Sequence, residues 1–333
     1  MKFGTVDLAD ADGAVLAHSV SLGGSRLRKG RVLTHDDLAS LASAGYRSVT
    51  VARLEEGDVH EDAAAVALAA ALVPDPAASC LRLTDGFTGR VNVLSTSPGV
   101  AVLDVTALEA INRIDPMITV ATVPQYRQMQ EGGMIATIKI ISYGVSGAAL
   151  EAACAHAAGA IRVAGPVLRS ARLIITEVEG GAGEKGAEAT AARLQAFDID
   201  MPPPVMVRHD STALAAALQR EASDLTLILT GSATSDAEDV APAAVRQAGG
   251  VVTRFGMPVD PGNLLFTGHL QGRAVIGLPG CARAPALNGA DWVMARMICG
   301  LEVGDDEISA MGVGGLLKEI PTRPHPRRRE KSP

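Results

Sequence analysis

Aromatic side chains are scarce in this chain, at 3% of its residues. A core without large rings has to be built from Ala, Val, Leu and Ile. The apolar fraction of 47% against 20% charged residues is enough for a globular chain. Cysteine is sparse too. Cys80, Cys154, Cys281 and Cys299 contain no CxxC pair, which argues against a disulfide framework or a zinc site of the usual spacing. Positive charge is in deficit, with a net charge of −7. Broad nucleic-acid binding is therefore not expected, because phosphate contacts need a basic surface. The one basic run, in RPHPRRREKSP from Arg323 onward, is short, broken by proline and reads as a solvated tail. No apolar run reaches the length of a membrane-spanning helix. The opening MKFGTVDLADADGAVLAHSV carries early acids and does not read as a secretory signal. These features together predict a reduced, cytoplasmic protein.

A length of 333 residues suits two or three domains. Near the N-terminus, LRKGRVLTHDDLASLASAGYRSVTVARL reads as a helix and a strand. Thr34 can cap the helix, with Asp37 in the capping-box position, and Gly45 stands where a left-handed residue ends one. A strand over Ser48–Leu54 follows, then an Ala-rich helix over Asp62–Leu72, stopped by Pro74 and Pro76. From Cys80 to Ser142 the pattern changes to short β-type runs: Arg90–Leu94, Val100–Val105, Ile118–Val123 and Met134–Ile141.

After about residue 165 strands and helices alternate. Strands are predicted at Ala171–Thr176, Pro204–Arg208, Asp224–Thr230, Gly250–Arg254 and Arg273–Leu278. Helices are predicted at Glu184–Phe197, Ser211–Ala222, Asp239–Ala248 and Pro285–Cys299. The run LTLILT lacks polar alternation, as a strand covered on both faces does. The pattern predicts an α/β fold, a doubly wound mostly parallel sheet, with ligands at the carboxyl ends of its strands.

Three of those strand ends carry suitable chemistry. Glu177 precedes a Gly-rich loop and suits a polar ligand or a metal, or is a solvated loop carboxylate. The loop Thr230-Gly231-Ser232-Ala233-Thr234-Ser235-Asp236, running on to Asp239, can offer N–H and hydroxyl groups to a phosphate near a helix start. It can equally be an ordinary strand-to-helix turn with Asp239 as the helix cap. The third end is Gly277-Leu278-Pro279-Gly280, followed by Cys281, where a helix dipole would lower a thiol pKa. His209-Asp210 is either an acid/base pair or, preferably, the cap of the next helix.

TGSATSDAEDVAP (Thr230–Pro242) resembles the signature loop of molybdopterin-binding proteins, with Thr230, Gly231, Asp239 and Pro242 matching in order. Gln247–Gly250 resembles that family's AGG turn, Pro261-Gly262-Asn263 its PGK motif and Gly277–Gly280 its GLPG motif. The Leu27–Leu54 segment resembles the module that precedes this domain in molybdopterin molybdotransferases. The residue pattern and the resemblance together divide the chain into an N-terminal α+β module (1–78), a β-rich module (79–150) that no named motif covers, a molybdopterin-binding α/β domain (151–303) and a C-terminal extension with a basic tail (304–333).

The resemblance further implies a role in molybdenum cofactor biosynthesis, as a transferase that binds molybdopterin or its adenylylated form and assists molybdate insertion with Mg²⁺. Asp239 and Glu177 become the acidic functional residues. Thr230, Gly231, Ser232, Thr234, Ser235 and Asp236 become ligand-loop residues, and Pro261, Gly262, Asn263, Pro279 and Gly280 the pocket wall. A homo-oligomer is implied, with a molybdenum-cofactor nucleotidyltransferase or an apo-molybdoenzyme as partner. Ser232, Thr234 and Asn263 depart from the family pattern. A glycine-only backbone at Ser232 or Thr234 would be strained, and two positive charges usual near the PGK motif are absent. Those departures point to the alternative, a non-catalytic carrier or scaffold for the cofactor.

Overall fold

The computed structural model describes residues 1–220 and 222–317; the basic tail lies outside the described residues. The chain divides into two units, Met1–Ser97 with Ala101–Val163, and Pro98–Val100 with the residues from Ala164 onward. It is a mixed α/β protein with a mostly parallel six-stranded sheet and several small antiparallel sheets.

In the first unit, the strand Ser48–Arg53 pairs antiparallel with Lys2–Asp7 and with Val15–Leu16. The helix His35–Ser43 packs Leu38 and Leu41 into a core with Leu16, Leu33, Val49 and Val51. The capping box read from Thr34 and Asp37 is present, and Arg31 donates to the same carboxylate at 2.8 Å. That guanidinium, with the Thr34 backbone and hydroxyl, holds the buried Asp37 carboxyl below its usual range.

A second core in this unit joins the helix Glu61–Leu72 to an antiparallel sheet of Ile118–Thr122, Met134–Ile140, Arg90–Ser95 and Leu81–Leu83. The run expected as a strand over Val100–Val105 ends at Leu103. Asp104 accepts from the Ala107 N–H at 2.9 Å and starts a helix, Val105–Ile114, that alternation alone did not signal.

In the second unit the sheet order is Val205–Arg208, Ala171–Glu177, Leu225–Leu229, Arg273–Leu278, Phe266–Leu270, Val251–Phe255. The first four strands are mutually parallel. The last two pair antiparallel. Phe266–Leu270 was not expected. It is joined to Arg273–Leu278 by a tight turn in which Gln271 (φ 52°) and Gly272 (φ 77°) are both left-handed, and Gln-Gly is a weak hairpin signal compared with Asn-Gly.

The central strand Leu225–Leu229 is buried along its whole length. Ile174, Ile228 and Val275 meet Leu214, Leu218, Ala244 and Val245 from the helices Ser211–Arg220 and Val240–Gln247. The helix expected from Glu184 starts only at Ala187, because Gly186 before it is left-handed at φ 103°. The helix expected from Pro285 runs over Gly289–Ile298, after a 3₁₀ turn at Gly280–Arg283, and is capped by Asn288 with Asp291 in the capping-box position.

Candidate functional site

Four parallel strands end at one edge of the six-stranded sheet. Glu177, Arg208, Thr230 and Pro279 follow or close them. The register Phe266↔Gly277 brings the loop before Phe266, with Pro261, Gly262 and Asn263, to the same edge. Glu177, the Thr230–Asp239 loop, Pro261–Asn263 and Pro279-Gly280 therefore lie along one edge, whereas the Gln247–Gly250 turn precedes Val251, which pairs with His269, and lies at the opposite edge. Neighbouring strands are about 4.8 Å apart. Glu177, the Thr230 loop and Pro279-Gly280 come from three adjacent strands, whereas Pro261–Asn263 stand one strand further on.

The strand-end loops are tied together by Thr176. Its hydroxyl accepts the N–H of Gly231 at 3.0 Å and pairs with Nδ1 of His209 at 2.8 Å. Gly231 is required by this approach. A Cβ there would lie 2.6 Å from the Thr176 carbonyl oxygen and 3.0 Å from the Val178 nitrogen. His209 also donates its own N–H to the Glu177 carbonyl, and Asp210 accepts from Ala213, the capping role expected for it. The Glu177 side chain is exposed and has no side-chain hydrogen bond or ion pair among the described residues.

Within the loop, Thr230 and Thr234 are buried and share a hydroxyl contact at 3.2 Å. Ser232, Ser235 and Asp236 are exposed. The N–H groups of Ser232, Ala233 and Thr234 donate to no protein acceptor among the described residues. Neither Ser232 nor Thr234 is left-handed, so their Cβ atoms bring none of the strain expected had these places needed glycine. Asp239 closes the loop. One carboxylate oxygen accepts from Ser235 N–H at 2.9 Å and the other from Val240 N–H at 2.7 Å, the latter as the cap of the helix Val240–Gln247.

The Ser235 N–H, and after it that of Val240 and the nearby His209, hold the Asp239 carboxyl below its usual range against its partial burial. The ionised group therefore stabilises the fold above the pH at which an unfolded aspartate titrates. That contribution disappears as pH falls through the lower folded-state value. Asp239→Asn is expected to lower stability at neutral pH and to have almost no effect in strong acid. Unfolding curves showing the same loss at both ends would mean the charge is not what matters.

Toward Pro261 the contacts are structural. The Pro261 carbonyl accepts from Gly289 N–H at 2.8 Å, and Asn263 receives the Met257 N–H on its backbone oxygen. Gly280 has open space around it. Burial pushes the Cys281 thiol up, so the activated thiol imagined at this strand end is not formed. No group of three His, Cys, Asp or Glu side chains able to hold a metal exists among the described residues. A Mg²⁺ ion does not need such a cluster, since it is usually held by one or two carboxylates with water and substrate phosphates, and Glu177 and Asp236 are exposed carboxylates at this edge.

Two residues that sequence reasoning passed over are prominent here. Arg193, on the helix Ala187–Gln195, directs all its N–H groups inward: to Asp291 at 2.5 Å and to the carbonyls of Ala189, Ala282, Ala284 and Ala286. It fastens the segment after Gly280 to two helices. Arg283, in that segment, donates to the carbonyls of Lys185 at 2.5 Å and Thr230 at 2.7 Å. Nothing in the local sequence marks either arginine, since apart from the Ala189 carbonyl each partner is tens of residues away.

The family model described as "Domain of unknown function (DUF8806)" matches residues 5–53, which includes the Thr34–Asp37 capping box and carries no activity. No curated protein matches the chain. Among solved structures, a molybdopterin biosynthesis moea protein from Pyrococcus horikosii is similar at 11% identity and a TM-score of 0.31, covering 90% of this chain and 75% of that one. A molybdenum cofactor biosynthesis protein B is similar at 14% identity and a TM-score of 0.29, covering 40% of this chain and 94% of that one. A molybdenum cofactor biosynthesis protein from Pyrococcus furiosus is similar at 12% identity and a TM-score of 0.26, covering 91% and 66%. At scores this low none of the three carries an assignment. No helix among the described residues is long and apolar enough to cross a membrane.

Proposed function

We propose that the carboxyl edge of the six-stranded sheet, on a doubly wound domain, binds molybdopterin or its adenylylated form and that the protein assists molybdate insertion in molybdenum cofactor biosynthesis. The observation that carries this reading is the loop after the central strand. It presents N–H groups of Ser232, Ala233 and Thr234 that have no acceptor among the described residues, at the end of a fully buried parallel strand. Backbone N–H groups in such a place suit a phosphate, and they are preorganised by the Thr176–Gly231 bond and by Asp239. In this reading Thr230 and Thr234 stiffen the loop from below, and Ser232, Ser235 and Asp236 meet the ligand from the solvent side. Pro279 and Gly280 form the adjoining wall, and Gly231 sets the spacing between loops. Glu177 is the exposed carboxylate that faces the ligand as the second acidic functional residue, while Asp239 keeps the loop in place. A Mg²⁺ ion would be held by one of the exposed carboxylates and the ligand's own phosphate.

A second reading, a carrier of the pterin or the finished cofactor, is favoured by one observation. Both carboxylate oxygens of Asp239 already accept backbone N–H groups, so its role is accounted for by structure. In either case the reading includes a homo-oligomer that hands its ligand to a nucleotidyltransferase or an apo-molybdoenzyme.

The test is a titration of anaerobically prepared molybdopterin, and separately of its adenylylated form, into the wild-type chain and Asp239→Ala, followed by pterin fluorescence. Binding that weakens about tenfold in the variant is the expected result. Conversion in the presence of molybdate selects the transferase, and binding without conversion selects the carrier. A folded wild-type protein that binds neither form removes the proposal.

A further inference from the structure

Arg283 is a cation without an anion. It is half-buried, and no carboxylate lies within ion-pairing distance of it among the described residues. Of the five N–H groups on a guanidinium, two are taken by the carbonyls of Lys185 and Thr230. The rest remain available. Its stem lies against Gly186, where a Cβ would be 2.9 Å from the Arg283 Cα, so the side chain is held in place by packing. Burial draws the guanidinium pKa down, the signature of a charge that has lost water and gained no counter-charge.

Its position gives that charge a use. The carbonyl of Thr230 that Arg283 grips is the first of the loop whose N–H groups at Ser232, Ala233 and Thr234 have no acceptor among the described residues. The other carbonyl it grips, that of Lys185, lies one residue before Gly186, the N-cap of the helix Ala187–Gln195, whose start has no side-chain cap. A guanidinium fixed by two neutral carbonyls keeps its full charge, and its fork geometry matches a tetrahedral oxyanion. The basic side chains elsewhere in this unit that stand beside carboxylates are already paired: Arg193 with Asp291, Arg246 with Glu238 and Arg254 with Asp305.

We infer that Arg283 is an anion-binding residue, which together with the open N–H groups of the Thr230 loop takes a tetrahedral oxyanion, either the phosphate of an ester or a free oxyanion. The inference concerns the same edge as the pterin reading and rests on that edge being a ligand site, but it requires no pterin.

The experiment is calorimetric titration of the full chain with inorganic phosphate, and in a parallel arm with molybdate, at low ionic strength with chloride as the control. Wild type is expected to bind phosphate or molybdate in preference to chloride. R283Q is expected to weaken that binding about tenfold or more, and R283K to retain part of it. A third arm with phenyl phosphate separates the two sources: stronger binding of this monoester identifies an ester site, and stronger binding of inorganic phosphate or molybdate a free-oxyanion site. If R283Q does not fold, the Nε–Hε NMR signal of Arg283 in wild type, assigned by its loss in R283K, decides: it must shift with added phosphate or molybdate. No oxyanion binding by wild type, equal binding by folded R283Q, or an unmoved signal overturns the inference. Arg283-dependent oxyanion binding without molybdopterin binding would keep the inference and remove the pterin reading. Molybdopterin binding indifferent to R283Q would do the reverse.

Discussion

Replacing Arg193 by methionine is expected to destabilise the protein by about 3–5 kcal/mol, the range for removing one partner of a buried ion pair. The side chains of Arg193 and Asp291 are 9% and 12% exposed, and their contact is 2.5 Å. Methionine fills much of the volume but leaves the Asp291 oxygen and four carbonyls without their donor. Asp291 keeps its bond from the Asn288 N–H, which limits the damage to one carboxylate oxygen. Arg193→Lys should recover only part of the loss, because one ammonium cannot reach the carbonyls of Ala189, Ala282, Ala284 and Ala286 as the guanidinium does. Urea unfolding with an unchanged slope would measure this. A loss of less than about 1 kcal/mol in the methionine variant would show that the network contributes little beyond a surface pair. Because Arg193 fastens the segment carrying Pro279, Gly280 and Arg283, a folded but destabilised variant should also lose affinity for whatever binds that edge.

Gly231→Ala should lower stability by about 1–3 kcal/mol and remove ligand binding at the sheet edge. The added methyl group meets backbone on the neighbouring loop, the Thr176 oxygen at 2.6 Å, and backbone cannot rotate away as a side chain does. Relief requires the two strand-end loops to separate, which breaks the Gly231–Thr176 bond and resets Ser232, Ala233 and Thr234. Thr176→Val is the companion variant. It removes the same hydrogen bond without the push, so it should lose stability but keep more of the binding. Thermal melts with phosphate titrations on both proteins would test this. If Gly231→Ala binds as wild type does, the loop is not a preorganised site and the functional reading loses its support.

Short-range physics was legible in the residues alone. Thr34 and Asp37 form the capping box their spacing suggests, Gly45 is left-handed, and Asp239 and Asp210 act as helix caps. The strands Arg273–Leu278 and Ser48–Arg53 lie where apolar runs between turn residues placed them. Each of these depends on groups within a few residues, so their cause is present in the local sequence. The strand Phe266–Leu270 was not legible, because its partner supplies the reason for its extended form and its turn lacks the usual dipeptide. The helix Val105–Ile114 was hidden behind an apolar run that continues across the Asp104 cap.

For the candidate site the division is similar. The loop residues could be named from the sequence, because strand, turn and helix follow one another there. That Gly231 is a matter of clearance and that three N–H groups find no acceptor among the described residues were decided only when separate strand ends met. The same holds for Arg193, which finds Asp291 98 residues away, and for Arg283, left with carbonyls and no carboxylate. The sequence by itself determined which segments pair with water, turn or core, through capping and hydrophobic pattern. Only the tertiary structure decided which charges are compensated, because compensation depends on distances between residues that the chain order does not contain.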